Sequence, residues 1–563
     1  MEMTAPGAKR SNISTPPRVL IIGAGINGCG VFRDLCLQGV ECLLVDRGDI
    51  CEGASAAPSR LIHGGIKYLE TGEFRLVRES CIERNRLLRN APHYVKPLET
   101  LVPVRSLFGG LLSSTLRFLG LKVKLNDRGV LITEIGLRLY DFYSHAIQAL
   151  PNHRFFYRTK LRQEIPLFDP SIIAAGLYYE GRVTHGERLG LELVLDGLHA
   201  KPSSQVALYS TVARSETGQF QLTDQLTGTV RTIEADYVIN AGGAWIDDVN
   251  HGLGFATHYI GGSKGSHLIV DHAELFNALK GRMVYFGTAD GRVNLAYPFF
   301  GHVLIGSTDI KINHPDEAYC SDEEIDYLLG AVKEIFPTIE IERQQILLTY
   351  CGVRPLPRSD GTNIGEVSRD HYMAHDSIPN TTIPLVSLIG GKWTTFRAFA
   401  DEASRHILAH FGIARAHQTE NEPIGGGRHY PITEAEHANW ISTKADLYRC
   451  KPSRMAELLH RYGTRAEHIA AFERDIAYQP LKNATQYSHA EIVILCREEW
   501  VRRLADILLR RTEMAMAGQV SLPLIHEIAE IAAAELAWDA DRKRAEIDAT
   551  IHAMQRRSVR MAA

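Results

Sequence analysis

The sequence predicts an α/β fold followed by an all-helical C-terminal region. Near the N-terminus, the apolar run 19–22 leads into a glycine-rich turn, which is typical of a strand that ends where a helix begins. Apolar residues at helical spacing come next, and a second strand-like run covers 40–45. Beyond residue 425 the composition shifts to helix formers with apolar stripes, and Arg510 and Arg511 are expected on a solvated face.

The overall composition excludes several classes of protein. With 563 residues, 45% of them hydrophobic and 23% charged, the chain is neither disordered nor fibrous. The formal charge of −4 excludes a dominant nucleic-acid-binding role. The nine cysteines contain no C-x-x-C pair, so neither disulfides nor a metal site is expected. Residues 1–17 lack the apolar segment of a signal peptide and are expected to be a disordered leader.

The turn at 23–28 reads Gly-Ala-Gly-Ile-Asn-Gly, which is the G-x-G-x-x-G pattern of dinucleotide-binding proteins. Gly23 permits the tight turn, Gly25 lets the backbone approach a pyrophosphate, and Gly28 lets the helix pack on the strand. The phosphates of such a ligand lie at the helix N-terminus. Asp46 ends the second strand and is placed to accept hydrogen bonds from an adenosine ribose. These residues alone leave both FAD and NAD open.

Further motifs carry a resemblance to a known family. They are the loop 51–70 with Ser-Arg-Leu-Ile-His-Gly-Gly-Ile-Lys-Tyr-Leu-Glu at its end, Glu-Phe-Arg-Leu-Val at 73–77, Ala-Gly-Gly-Ala-Trp at 241–245, Lys-Gly-Ser-His at 264–267, Gly-Ser-Thr-Asp at 306–309, Gly-Val-Arg-Pro-Leu at 352–356 and Gly-Gly-Lys-Trp-Thr-Thr-Phe-Arg at 390–397. Together with the N-terminal turn, these segments resemble the FAD-dependent glycerol-3-phosphate dehydrogenase family. The resemblance covers about residues 18–550 and is weakest at 105–130 and 425–490.

The resemblance implies a three-part architecture. A glutathione-reductase-type FAD-binding Rossmann domain is joined to a mixed β-sheet substrate domain, as in D-amino-acid oxidase, and a C-terminal α-helical domain follows. The expected boundaries are 18–104, 160–260 and 353–420 for the discontinuous FAD-binding domain, 105–159 and 261–352 for the substrate domain, and 425–563 for the helical domain.

The resemblance also implies an activity. It is the oxidation of sn-glycerol 3-phosphate to dihydroxyacetone phosphate, with hydride passing from C2 to flavin N5 and electrons going on to membrane quinone. The protein is then expected in the cytoplasm, peripherally associated with the inner membrane, with a homodimer as one candidate assembly. Residues 105–128 carry apolar side chains at roughly helical spacing and five basic residues against one acid. This insertion is expected to lie on the membrane or, alternatively, to pack on the protein or a partner subunit.

The resemblance assigns roles to individual residues. The implied FAD contacts are Gly23, Ala24, Gly25, Ile26, Asn27, Gly28, Asp46, Arg47, Ser55, Ser59, Arg60, Leu61, His63, Val212, Gly243, Gly391, Lys392, Trp393 and Thr394. The implied substrate contacts are Lys67, Tyr68, Arg354, Arg369 and Lys392. Because C2–H oxidation needs a base that titrates near neutral pH, His63 is the first candidate and His267 the second. Arg354 or Lys264 is expected to stabilise the developing alkoxide.

Three departures from the family pattern leave alternatives open. Lys67 stands where arginine is usual, Gly242 replaces a threonine, and Thr-His-Gly-Glu at 184–187 replaces an acid-bearing turn. Lysine keeps the charge but loses the planar guanidinium fork. Another polyol phosphate, such as an erythritol phosphate, is therefore an alternative substrate. An oxygen-using oxidase, a non-catalytic flavin-binding relative and an NAD-dependent dehydrogenase are further alternatives.

Overall fold

A computed structural model describes residues 19–69, 72–109, 129–144, 149–288, 290–358 and 370–558. The predicted leader, most of the predicted membrane-surface insertion (110–128) and Arg369 lie outside the described residues. Within the described part of the chain, no helix is both long enough and apolar enough to cross a lipid bilayer.

The strands form three sheets. In chain order they are β1 (Val19–Ile22), β2 (Cys42–Val45), β3 (Leu61–Ile62), β4 (Val95–Val104), β5 (Arg154–Tyr157), β6 (Ala174–Val183), β7 (Gln205–Ala207), β8 (Ser210–Arg214), β9 (Phe220–Asp224), β10 (Val230–Ile233), β11 (Tyr237–Asn240), β12 (Ser263–Val270), β13 (Met283–Gly287), β14 (Val293–Phe299), β15 (His302–Gly306), β16 (Ile310–Lys311), β17 (Ile346–Arg354), β18 (Tyr372–Ser377) and β19 (Pro384–Ile389).

The helices surround these sheets and form the C-terminal region. They are α1 (Ile26–Leu37), α2 (Phe74–Asn90), α3 (Val130–Ser144), α4 (Arg158–Glu164), α5 (Gly186–Ala200), α6 (Ile246–Gly252), α7 (Ala273–Leu279), α8 (Asp322–Ile335), α9 (Phe396–His410), α10 (Glu434–Tyr448), α11 (Pro452–Tyr462), α12 (Ala466–Ile476), α13 (His489–Glu498), α14 (Leu522–Leu536) and α15 (Ala540–Gln555). A short helical segment, Leu504–Asp506, continues into a π-helical turn, Ile507–Arg511.

The predicted strand–helix–strand unit lies at the centre of a six-stranded sheet with the order β18-β19-β11-β1-β2-β7. Strand β1 pairs in parallel with β2 and β11, and β11 pairs in parallel with β19. All four residues of β1 and of β2 are buried, which is why both read as continuous apolar runs rather than as alternating patterns. Helix α1 packs against α5 and α9, so the sheet is covered on this face.

A ten-stranded mixed sheet forms the second layer, with the main order β16-β12-β15-β14-β13-β4-β6-β3. Its longest pairing joins β4 and β6, which lie antiparallel over ten residue pairs. The predicted division placed both strands in the FAD-binding domain, whereas the structure places them in this sheet. Apolar patterning identifies a strand but not its partner, so the sequence could not show where the chain crosses from one sheet to the other.

The helices beyond residue 434 enclose a core of their own, as expected for a helical C-terminal region. Arg510 and Arg511 are not solvated. They are 6% and 2% exposed, and their guanidinium groups donate to Asp49 Oδ2 at 2.6 and 2.7 Å. Asp49 lies just after β2, so these ion pairs join the C-terminal helices to the six-stranded sheet. The α/β fold class with a helical C-terminal region is confirmed.

Candidate active site

A cavity of about 1370 Å³ lies between the two large sheets. Its volume is larger than the roughly 300–1,000 Å³ of most small-molecule sites, so it can hold a ligand of dinucleotide size. Most of the predicted site residues line it: Gly23, Gly25, Ile26, Asn27, Asp46, Arg47, Ser55, Ser59, Leu61, His63, Lys67, Tyr68, Val212, Gly243, His267, Arg354, Gly391, Lys392, Trp393 and Thr394. The structure thus brings together motifs that are far apart in the chain.

One end of the cavity is formed at the carboxyl ends of parallel strands. Gly23 follows β1, Asp46 follows β2, Gly242 follows β11 and Gly390 follows β19, and all but Asp46 sit in turns rich in glycine. Ligands of open α/β sheets bind in the crevice outside the carboxyl ends of the strands, where helix N-termini favour anionic groups. The cavity is therefore placed where a nucleotide is expected.

The glycine-rich turn needs its glycines for space. Gly23 has φ +112°, and a Cβ atom there would lie 2.4 Å from the carbonyl oxygen of Ala241. A Cβ atom on Gly28 would lie 1.8 Å from the carbonyl oxygen of Gly23. Neither contact is sterically possible, so both positions require glycine, as predicted. Gly28 packs the helix on the turn and does not itself line the cavity.

Asp46 closes this end of the cavity. Its carboxylate accepts hydrogen bonds from Ala24 N at 2.6 Å and from Gly48 N at 2.8 Å. Burial raises the pKa of Asp46 to about 6. Ser55 Oγ accepts from Ile26 N at 3.0 Å, at the first turn of α1. A carboxylate, a hydroxyl and a helix N-terminus around one turn fit the ribose and diphosphate of a dinucleotide.

The loop that carries His63 is held from two sides. His63 N donates to Thr394 Oγ1 at 3.0 Å, and that hydroxyl donates back to His63 O at 3.1 Å. On the other side, Gly64 N donates to the hydroxyl of Tyr140 at 2.8 Å and to Glu180 at 3.1 Å. Arg84 donates to Glu180 at 3.1 Å, and this ion pair is almost fully buried. The backbone of His63 is therefore fixed by both sheets.

His267 lies in the cavity wall on β12. Its Nε2 atom is 2.7 Å from Ser59 Oγ, and its ring stacks on Tyr350 with centroids 4.9 Å apart. Burial, and after it the nearby charges of Arg354 and Arg60, lower the pKa of His267 to about 3. Among the described residues its Nδ1 atom has no hydrogen-bond partner. The imidazole of His267 is therefore buried and neutral, and its Nδ1 atom is itself enclosed by the protein.

Two positively charged regions line the same cavity. The guanidinium of Arg354 donates to Asp309 Oδ1 at 3.0 Å, to Thr308 O at 3.0 Å and to Ser307 Oγ at 3.2 Å. The ammonium of Lys392 lies 4.0 Å from the centre of the Tyr68 ring, and Lys67 is next to Tyr68 in the chain. Asp309 was not among the predicted site residues, although it ends the Gly-Ser-Thr-Asp motif.

Lys264 is not in the cavity wall, in contrast to its predicted catalytic role. Its ammonium pairs with Glu324 at 2.7 Å and donates to Tyr319 O at 2.8 Å. Successive residues of a strand point to opposite faces, so Gly265 and His267 face the cavity while Lys264 faces away. Lys264 therefore belongs to the face of β12 that points away from the cavity.

Arg60 also lies behind the wall rather than in it. It is 1% exposed, and its guanidinium makes two 2.5 Å hydrogen bonds to the carboxylate of Glu187. Ala24, too, does not line the cavity, although its backbone N–H holds Asp46. The prediction also missed Glu180, Arg503 and Arg557, which line the cavity. Nothing in the sequence pattern marked these three residues as members of a site.

Comparisons with known proteins settle the family. A family model described as FAD dependent oxidoreductase matches residues 18–389, and one described as the C-terminal domain of alpha-glycerophosphate oxidase matches residues 417–543. The chain belongs to the FAD-dependent oxidoreductase family. Its cofactor is FAD, which fits the dinucleotide end of the cavity, and the NAD alternative is set aside.

Relatives of this flavoprotein with known names agree with that assignment. A glycerol-3-phosphate dehydrogenase of Synechocystis sp. is 33% identical, over 88% of this chain and 89% of the relative. A D-erythritol 1-phosphate dehydrogenase of Brucella abortus is 30% identical, over 88% of this chain and 94% of the relative. The resemblance to the glycerol-3-phosphate dehydrogenases is thus confirmed as a family relationship.

A solved structure shares the fold of this flavoprotein. It is the glycerol-3-phosphate dehydrogenase from Bacillus halodurans complexed with FAD, which matches with a TM-score of 0.73 and 21% identity. The match covers 96% of this chain and 95% of the other. At this identity the likeness establishes the common fold alone.

Proposed function

We propose that this flavoprotein oxidises sn-glycerol 3-phosphate to dihydroxyacetone phosphate. The observation that carries the proposal is the presence of Lys67, Lys392, Arg354, His63 and His267 in the wall of the cavity that also holds the dinucleotide-binding turn. A phosphate needs cations, and oxidation of a secondary alcohol needs a proton acceptor close to the flavin. The names of the relatives point to the same substrate.

Different residues of the cavity are proposed to have different roles in the reaction. FAD, held by the glycine-rich turn at 23–28 and by Asp46, would supply the acceptor for the hydride from C2. Lys67 and Lys392 bind the substrate phosphate, while Arg354 stabilises negative charge that develops on the C2 oxygen. His63, whose backbone is held by Thr394 and, through Gly64, by Tyr140, removes the hydroxyl proton.

His267 is assigned a different task from His63. A base with a pKa of about 3 has little tendency to accept a proton at neutral pH, so His267 is not the proposed base. Its neutral ring instead forms an uncharged part of the cavity wall, and Ser59 fixes the orientation of that ring.

An erythritol phosphate is the second candidate substrate. The Brucella abortus relative is named D-erythritol 1-phosphate dehydrogenase and matches this chain almost as well as the first relative does. Lys67 supports the same alternative, because it replaces an arginine that is usual beside the substrate. The two candidates share the phosphate and the reacting hydroxyl and differ in the length of the polyol.

Membrane quinone is the proposed electron acceptor, reached from the membrane surface. Helix α3 exposes Leu131, Ile135, Leu139 and Phe142, which recur at helical spacing and therefore share one face. Leu107 and Phe108, at the start of the predicted insertion, are also exposed. Exposed apolar side chains grouped in this way support peripheral contact with the cytoplasmic face of the inner membrane. The homodimer stays a prediction.

The proposed domain division follows the sheets. The FAD-binding domain contains the six-stranded sheet, and the substrate domain contains the ten-stranded sheet, which includes β4 and β6. The helical domain begins near residue 425.

An anaerobic visible spectrum tests the proposed function. The purified protein is expected to show flavin bands that bleach when sn-glycerol 3-phosphate is added. Bleaching by an erythritol phosphate alone would favour the second candidate. Flavin bands that respond to neither compound would contradict polyol-phosphate oxidation and favour a non-catalytic relative.

A further inference from the structure

Two adjacent arginines of the C-terminal region differ in what their side chains contact. Arg502 and Arg503 stand just before the short helical segment Leu504–Asp506. The guanidinium of Arg502 pairs with Asp224 at 3.3 Å. Arg503 instead lines the cavity, and its buried Nε atom has no hydrogen-bond partner among the described residues. The charge of Arg502 is therefore used within the protein, whereas that of Arg503 faces the ligand space.

Tyr209 places Arg503 at one end of the cavity. Cζ of Arg503 lies 5.3 Å from the centre of the Tyr209 ring, and both residues line the cavity. Tyr209 N donates to Gly48 O at 3.0 Å, and Gly48 N donates to Asp46 Oδ1 at 2.8 Å. Asp46 is the carboxylate that is placed for an adenosine ribose. Arg503 therefore lies at the adenosine end of the cavity.

A buried network holds the backbone of Arg503 in this position. Asp506 Oδ2 accepts hydrogen bonds from Arg502 N at 2.9 Å and from Arg503 N at 2.8 Å. The other carboxylate oxygen, Oδ1, accepts from the hydroxyl of Tyr209 and from the guanidinium of Arg510. Asp506 is fully buried. The C-terminal region therefore presents Arg503 to the cavity from a fixed backbone.

The guanidinium of Arg503 is chemically suited to an adenine ring. It is planar and cationic and has N–H donors, while adenine has an aromatic face and ring nitrogens that accept hydrogen bonds. When a cofactor fills the cavity, a guanidinium in its wall loses water and needs a partner in return. At the end marked by Asp46, FAD offers its adenine as that partner.

We propose that Arg503 is a cofactor-binding residue, contributed by the C-terminal helical region, that contacts the adenine of FAD. The two matching family models divide the chain into residues 18–389 and 417–543. The second region then completes a cofactor site that is built mainly by the first. Retention of FAD consequently depends on the docking of the C-terminal helices. The inference concerns the cofactor and does not depend on the identity of the substrate.

The rate of FAD release from the holoenzyme tests this contact. The rise in flavin fluorescence after dilution is followed at low and at high NaCl concentration. Arg503→Ala is expected to release FAD on the order of 10-fold faster than the wild type at both salt concentrations, because adenine is uncharged. Arg503→Lys keeps the charge but not the plane and should be intermediate. Arg502→Ala is the matched control and should release FAD at the wild-type rate.

Unfolding measurements separate a cofactor contact from a purely structural role. Protein stripped of FAD should have the same denaturation midpoint in Arg503→Ala as in the wild type. Added FAD should raise the midpoint less in the variant, because a ligand stabilises the folded state according to its affinity. If Arg503→Ala does not fold, Arg503→Lys is used for the same comparison.

Three results would overturn the proposal. FAD release at the wild-type rate from Arg503→Ala would show that Arg503 does not contact the cofactor. Faster release at low salt alone would assign the guanidinium to the diphosphate rather than to the adenine. Equal acceleration in Arg502→Ala, or a lower midpoint of FAD-free Arg503→Ala, would limit Arg503 to docking the C-terminal region.

Discussion

The guanidinium of Arg354 occupies the space that a side chain on Gly265 would fill. A Cβ atom on Gly265 would lie 2.2 Å from Nη2 and 2.6 Å from Cζ of Arg354. The two residues are diagonal neighbours on adjacent strands, since Gly265 pairs with Gly352 and Arg354 pairs with Ser263. The arginine can therefore reach Asp309 only because residue 265 has no side chain.

Gly265→Ala is expected to displace Arg354 without disturbing the nucleotide end of the cavity. We expect kcat/KM for the polyol phosphate to fall by roughly 10- to 100-fold, because a misplaced charge loses transition-state contact. Flavin content should remain at the wild-type level. Gly330→Ala is the matched control, since it lies within α8 with no atom within 4 Å of its added Cβ. An unchanged kcat/KM in Gly265→Ala would show that Arg354 does not contribute to the reaction.

Lys264 and His267 show how much of the candidate site could be predicted from the sequence. The Lys-Gly-Ser-His motif located the right strand, and the strand-like run after it was recognised. Alternation along that strand would have placed Lys264 and His267 on opposite faces, so the error over Lys264 was avoidable. The glycine-rich turn and Asp46 were recognisable in the sequence because they lie within one local strand–turn–helix–strand segment.

Contacts between distant segments could not be predicted from one sequence. Asp49 and Arg511 are more than 400 residues apart, yet they form a buried ion pair. Glu180 reaches Gly64 only because β6 runs beside β3 and β4. A single buried carboxylate in an apolar strand carries no pattern that identifies its partner. Its role follows from the packing of the two sheets.

His267 is expected to make stability depend on pH. Burial and two neighbouring arginines lower its pKa to about 3, whereas in the unfolded chain its pKa is about 6.5. As pH falls below about 6.5, the unfolded state takes up a proton that the folded state does not. The free energy of unfolding therefore decreases by about 1.4 kcal/mol for each unit by which the pH falls between about 6.5 and about 3.

Denaturation midpoints at pH 7.5 and 5.5 measure this effect. The decrease in the denaturation midpoint from pH 7.5 to pH 5.5 is expected to be smaller in His267→Gln than in the wild type. Exposed His526 provides the control, and His526→Gln should show the wild-type fall. An identical fall in His267→Gln and wild type would mean that His267 is not held neutral in the folded protein.

Arg60 and Glu187 are expected to stabilise the fold as a pair. Glu187→Ala leaves the 1% exposed guanidinium of Arg60 without its carboxylate, which should cost about 3–5 kcal/mol of the free energy of unfolding. The double variant Arg60→Met/Glu187→Leu removes both charges and should recover most of that loss. Chemical denaturation of the wild type, Glu187→Ala and the double variant measures the free energy of unfolding of each and so checks this order of stability. A double variant less stable than Glu187→Ala would contradict the explanation by an unpaired buried charge.

The exposed face of α3 is expected to contribute to membrane contact. Ile135 and Phe142 are 51% and 73% exposed, and insertion of their side chains into a bilayer would remove apolar surface from water. Ile135→Glu/Phe142→Glu should therefore lower the fraction of protein that floats with anionic liposomes, while flavin reduction by the substrate in solution stays unchanged. Ile432→Glu is the control, because Ile432 is 68% exposed but lies in the C-terminal region. If the α3 variant floats as the wild type does, or the Ile432 variant loses flotation equally, this face of α3 is not the membrane contact.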